Sequence, residues 1–306
     1  MRKTLIGILL LGMGIFFAWY DFHDSSPVVK ASDARLHRSK SPVLRLARAG
    51  FYSHIPASIR AQADRSWVAR ELLNDYGAMY VARGVRLPPG LIFSGPHATH
   101  QWQHATPHAA ARMGGLRVVL QTPALRALLA ARAQARRAGL RIEPRGHDAA
   151  RRSFAQTARL WESRVRPALI YWQRRGRLTP ARAAQIARLS PVRQVPVVLR
   201  LERQGIWFST DFNKTILDSV AAPGTSQHIA MLAFDLREYG QPRIWKILNQ
   251  HGWFQTITTD LPHFTYLGWP QSRLPELGLR RVRAYGHIFW IPSLPAHSDQ
   301  SMVSGR

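Results

Sequence analysis

Apolar positions change their spacing several times along this chain. Residues 4–20 form an uncharged, mostly apolar run that ends in Phe16, Phe17, Trp19 and Tyr20. At about 1.5 Å per residue such a run extends about 25 Å as a helix. Further on, Ile59, Trp67, Val68, Leu72, Leu73 and Tyr76 recur at near-helical spacing and predict helix over about 58–85. Pro, Gly and His accumulate between about 86 and 110, which predicts a loop. From Pro123 to about Leu189 the spacing is helical again, with breaks at Gly139, Pro144-Arg145-Gly146 and Gly176. Thr179-Pro180 there reads as an N-cap followed by proline at the first helical position.

After Pro191 the pattern turns to short strands. Residues 195–202 and 206–210, joined by Arg203-Gln204-Gly205, predict a hairpin with glycine in its turn. Gln241-Pro242 opens a short helix with Ile244, Trp245, Ile247 and Leu248 on one face and Gly252 at its C-terminal cap. Residues 228–236, 254–258, 264–267 and 287–291 are strand-like. The expected fold is therefore α+β: a small mixed or antiparallel sheet with flanking helices, preceded by a mainly helical, Arg-rich region and an N-terminal membrane anchor. The corresponding divisions are 1–22 (signal anchor or signal peptide), 23–57 (juxtamembrane linker), 58–190 (helical basic region), 191–296 (chemistry-bearing domain) and 297–306 (flexible tail).

Charge narrows the partners. The 306 residues carry 43 Lys and Arg against 17 Asp and Glu, a formal net charge of +26. The excess is concentrated: residues 101–200 hold 20 basic and 3 acidic side chains, whereas residues 201–306 hold 10 and 8. Long-range attraction of this kind suits any polyanion, whether nucleic acid, anionic lipid or cell-wall polymer. Arg2 and Lys3 before the apolar run favour export of the chain beyond that run. The body of the protein is then expected outside the cytoplasm of a bacterium, anchored in the inner membrane or released into the periplasm if the segment is cleaved. Nucleic acid is accordingly not an expected partner. The chain has no Cys, which excludes disulfides, thiolate metal sites and a thiol nucleophile.

Two clusters carry candidate chemistry: Ser226-Gln227-His228 followed by Asp235, and Asp260-Leu261-Pro262-His263. Two imidazoles and one carboxylate supply three ligands and leave one position open, the arrangement of a catalytic zinc rather than a structural one. His228 and Asp235 lie seven apart, so a flat strand would point them to opposite faces; sharing one ion requires a bend or bulge between them. Asp260, three residues before His263, can reach the ligand's side through a turn. A second histidine group, His97, His100, His104 and His108, is associated with Pro96 and Pro107, has no accompanying carboxylate and reads as a polar loop.

The block Pro223-Gly224-Thr225-Ser226-Gln227-His228, then Ala233 and Asp235, Trp245, His251-Gly252-Trp253, and Asp260-Leu261-Pro262-His263-Phe264-Thr265-Tyr266 resembles the zinc D-Ala-D-Ala carboxypeptidases of the VanY type, within the LAS metallopeptidases. The resemblance covers about residues 195–295. It implies one zinc ion held by His228, Asp235 and His263, with Asp260 as general base toward a zinc-activated water. It also implies substrate contacts from Ser226 and Tyr266, and peptidoglycan stem peptides as substrate. A cation that polarises the scissile carbonyl is also implied, for which Lys214 is the first candidate and Arg200 and Arg203 are rivals. Met231 stands where the family has Gly, Pro262 where it has an aromatic, and Asp260 where many members have Glu. The competing expectation is a non-catalytic cell-wall or polyanion binder built on a degenerate peptidase domain.

Overall fold

Helices are the largest class of regular structure in residues 50–294, the part that the computed structural model describes. Helices α1 (Ala57–Arg65) and α2 (Trp67–Tyr76) meet at Ser66, whose hydroxyl caps α2 by accepting from Ala69 N–H. Helix α3 (Pro96–Ala105) follows, then the hairpin β1 (His108–Met113) and β2 (Leu116–Gln121). Next come the helices α4 (Thr122–Arg137), α5 (Phe154–Arg174), α6 (Pro180–Arg188) and α7 (Pro191–Glu202). Strand β3 (Ala233–Asp235), helix α8 (Pro242–Gln250), β4 (Trp253–Phe254) and β5 (His263–Tyr266) come next, and the hairpin β6 (Leu279–Ala284) and β7 (His287–Pro292) closes the described chain. Strands β3, β5 and β4 form an antiparallel sheet in that order. The architecture is thus α+β, with small antiparallel sheets among helices. The predicted anchor at 1–22, most of the linker and the tail at 297–306 lie outside the described residues. Among the described residues no helix is long and apolar enough to cross a membrane.

Three sequence expectations are corrected. Residues 195–202 belong to α7, not to a hairpin strand. Val195, Val198, Leu199 and Glu202 are buried together at helical spacing, and this packing overrides the β-preference of the valines. Gly205, expected in a hairpin turn, sits at φ +75° just past the end of α7; Ile206 N–H donates to Leu201 O, closing a left-handed helix cap. The proline-bounded histidine segment is helix α3, because Pro96 occupies the first turn, where no donor is needed. Its buried residues are Thr99, Trp102 and Gln103, while His97, His100, His104 and His108 are exposed.

The hairpin β1–β2 turns through Gly114 and Gly115, both at positive φ, as a two-residue turn compatible with strand twist requires.

Two apolar clusters fill the interior. One gathers Trp161, Val165 and Leu169 of α5 with Leu72, Val198, Leu199, Phe208 and Leu217. The other joins Phe51, Tyr80, Leu120 and Leu128 to Phe234, Trp253, Phe254 and Trp290. Both draw residues from either side of position 190, and the described residues fall in one compact unit. The Arg-rich helices are therefore packed into the same body as the C-terminal sheet.

Candidate metal centre

His228 lies in a tight turn ahead of β3, with Met231 N–H donating to His228 O and Leu232 N–H to Gln227 O. Met231 has φ +55°, the left-handed region that glycine favours, and its side chain is fully buried. The bend demanded by the seven-residue spacing is therefore present, made by a methionine at the position where the resembled family has glycine. The turn is pinned from outside. Gln103 Nε2 donates to Ile229 O and Arg152 O, and Gln121 Nε2 donates to Ala230 O. Upstream, Gly224 at φ +84° lies so close to Phe93 that a Cβ would come within 2.5 Å of the Phe93 carbonyl oxygen.

Asp235 and His263 are direct cross-strand partners in the antiparallel β3–β5 pair. Such partners place their Cβ atoms about 5 Å apart on one face of the sheet. A strap of chain before α5 runs along the other edge of β3: Asp235 N–H donates to Ala149 O, and Arg145 N–H to Asp235 O.

The three side chains converge. His228 Nε2 is 3.2 Å from His263 Nδ1 and 3.2 Å from Asp235 Oδ1, and His263 Nδ1 is 3.3 Å from Asp235 Oδ1. All three residues are buried. The outward nitrogens fix the tautomers. His228 Nδ1–H donates to Ala150 O at 2.7 Å, and His263 Nε2–H donates to Gln227 Oε1 at 2.8 Å. Gln227 is itself oriented, since its Nε2 donates to Tyr76 O at 2.9 Å and its Oε1 accepts from the Thr265 hydroxyl. The inward nitrogens therefore both present lone pairs, and they face a carboxylate oxygen.

Three electron-rich atoms in contact repel one another unless a cation joins them. Asp235 Oδ1 is buried without a hydrogen-bond partner, although Asp235 Oδ2 accepts from Arg152 Nη2 at 2.5 Å. Tetrahedral zinc with bonds of about 2.0–2.1 Å holds its ligand atoms about 3.3–3.4 Å apart, close to the triangle found here. The outer hydrogen bonds from both imidazoles are the kind that orient metal-binding histidines. His228, Asp235 and His263 can hold a metal ion. Burial keeps His228 below the ordinary imidazole range, against the pull of Asp235. For Asp235, burial acts to raise the pKa, but the two histidines, where they carry a proton toward it, outweigh burial and hold the carboxyl well below the usual range.

Searched against protein-family profiles, curated proteins and solved structures, the chain matches none.

A cavity of about 300 Å³ opens onto the three ligands and is also lined by Ser226, Asp260, Arg145, Arg152 and Arg164. Asp260 is 46% exposed, with Oδ2 3.9 Å from His263 Nδ1, beside the ligand triangle as the i, i+3 turn suggested. Ser226 lines the cavity, but its Oγ accepts from His228 N–H and so also builds the turn.

Two predicted site residues fall elsewhere. Tyr266 is three positions after His263 on β5, so strand alternation turns it to the opposite face, where its ring packs 5.5 Å from Trp253. Lys214 is exposed and does not line the cavity; its backbone N–H donates to Ser209 Oγ. Of its rivals, Arg200 is exposed on α7 and Arg203 stacks over Trp67 at 4.6 Å. The cation bonded to the ligand set is Arg152, which bonds Asp235 and lies 3.5 Å from Asp148. It precedes the capping box Ser153 to Gln156 that starts α5, a helix-start signal legible in the sequence.

Proposed function

We propose that this chain is an extracytoplasmic zinc peptidase that hydrolyses peptidoglycan stem peptides, acting as a D-Ala-D-Ala carboxypeptidase of the VanY type. The observation that carries this reading is the buried triangle of two imidazole lone pairs and an orphaned carboxylate oxygen, open on one side to a cavity. A zinc ion held by His228, Asp235 and His263 would supply Lewis acidity toward water and the scissile carbonyl.

The protein's own groups do the rest. Asp260, half-exposed at the rim of the ligand triangle, accepts a proton from the attacking water and returns it to the leaving amine. The peptide C–N bond breaks, the water oxygen remains on the acyl carbon, and the proton balance closes on the released amine. Arg152 positions Asp235 and offsets its charge in a poorly solvated place. The N-terminal apolar run with Arg2 and Lys3 supports placement outside the cytoplasm.

The purified full chain should contain about one zinc by elemental analysis, lost in His228→Ala and His263→Ala. It should release D-Ala from an acylated peptide ending in D-Ala-D-Ala, with or without penicillin. Asp260→Asn should keep the zinc and slow release by about 10²- to 10⁴-fold, the usual worth of a general base. A chain without bound metal that only sediments with isolated cell walls would instead be the polyanion binder that the +26 charge suggests.

A further inference from the structure

Thr157, Leu160 and Arg164 succeed one another on α5 at spacings of three and four, and all three line the metal cavity. They form a stripe about 10 Å long on one helix face. Thr157 is buried, its hydroxyl bonded back to Phe154 O, so it closes the inner end. Leu160 is 37% exposed, an aliphatic side chain left open beside the apolar cavity residues Leu217, Val220 and Ile257.

Arg164 differs from its neighbour Arg152. Arg152 is engaged by Asp148 and Asp235. The hydrogen bond Arg164 makes is from Nη1 to the Ser163 hydroxyl, and its Nε is buried with no acceptor. Asp218 also lines the cavity but forms no ion pair with Arg164. Arg164 nevertheless lines the cavity with no ion-pair partner among the described residues, and a ligand carboxylate is the group that fits the planar donor fork of a guanidinium.

We propose that this stripe is the pocket for the residue that the reaction releases, with Arg164 binding that residue's free carboxylate and Leu160 packing against its side chain. The assignment rests on the peptidase reading and deepens it. A peptide that continues past the released residue would set a neutral amide against Arg164, so the pocket selects a free C-terminus and makes the enzyme an exopeptidase. An apolar wall beside the anchor suits a small aliphatic side chain such as that of alanine.

The test compares an N-acylated peptide ending in D-Ala-D-Ala with its C-terminal amide, using the zinc-loaded full chain. The wild type should prefer the free acid in kcat/KM by about 10- to 100-fold, the range of one charge-assisted contact. Arg164→Gln should raise KM for the acid by a similar factor, bring the acid-to-amide ratio near one and leave zinc content unchanged. Arg164→Lys should recover part of the preference. The ratio is measured within each variant, so a smaller folded fraction does not affect it. Comparable cleavage of acid and amide by the wild type, or an unchanged ratio in Arg164→Gln, overturns the pocket assignment while leaving the peptidase reading intact. A chain that binds no zinc and cleaves neither peptide overturns both.

Discussion

Replacing Gln227 by Met tests whether the histidines are held as metal ligands. The change keeps the volume of the buried side chain and removes the acceptor of His263 Nε2–H and the donor to Tyr76 O. Tyr76 O loses its amide donor, and the imidazole either buries an unpaired N–H or moves its proton to Nδ1. In the second case the lone pair that faces His228 and Asp235 is gone. An outer hydrogen bond of this kind is worth about 10- to 100-fold in metal affinity, or about 1.4–2.7 kcal/mol. The unpaired groups cost about 1–3 kcal/mol each in stability of the metal-free protein. Zinc affinity measured by competition with a chromophoric chelator should fall by that factor, and urea unfolding in excess chelator should report the stability loss separately. A zinc Kd within threefold of wild type would refute the reasoning, because the tautomer would then not depend on Gln227.

Two further predictions concern the scaffold. Met231→Ala should cost about 2–4 kcal/mol as a buried truncation, and Met231→Gly no more than that, since glycine relieves about 1–2 kcal/mol of left-handed backbone strain; a glycine variant clearly less stable than the alanine variant in urea would contradict the strain at φ +55°. Asp75 and Glu202 are each pushed up to about 7 by burial, for Glu202 against three hydrogen bonds that favour its charged form. Their protonated forms stabilise the fold at low pH, and that contribution is lost as pH rises from about 4.5 to about 7, with a slope of at most about 1.4 kcal/mol per pH unit for each group. Between pH 5 and pH 7, Glu202→Gln should therefore lose less metal-free stability than the wild type in urea, and an identical pH dependence in that variant would show that Glu202 does not titrate in the window.

Much of the candidate site is local in the chain, which makes it legible. Ser226, His228 and Asp235 sit on one short segment and Asp260 and His263 on another, so residue type and spacing alone nominate the ligands and demand a bend between His228 and Asp235. The helix starting at Pro242 and capped at Gly252 is readable for the same reason, since caps and amphipathic faces are written within about ten residues. Tyr266 faces away from the ligands, and its parity with His263 on one strand is visible in the sequence; alternation decides its face without any tertiary knowledge.

Other features depend on contacts between distant segments. Valines at 195, 197 and 198 favour a strand by themselves, and only burial against α5 and its neighbours makes them helix. The same glycine at 205 serves a hairpin turn or a helix cap, and the packing of α7 selects the cap. Arg152, Ala150 and Gln103 are more than 70 positions from the residues they orient, because the supposed helical region supplies the strap along β3. Residue types and their spacing are thus enough to name two imidazoles and a carboxylate. Their meeting within 3.3 Å, the protons on their outward nitrogens and the arginine beside them come from the antiparallel register and from long-range burial, which no local pattern encodes.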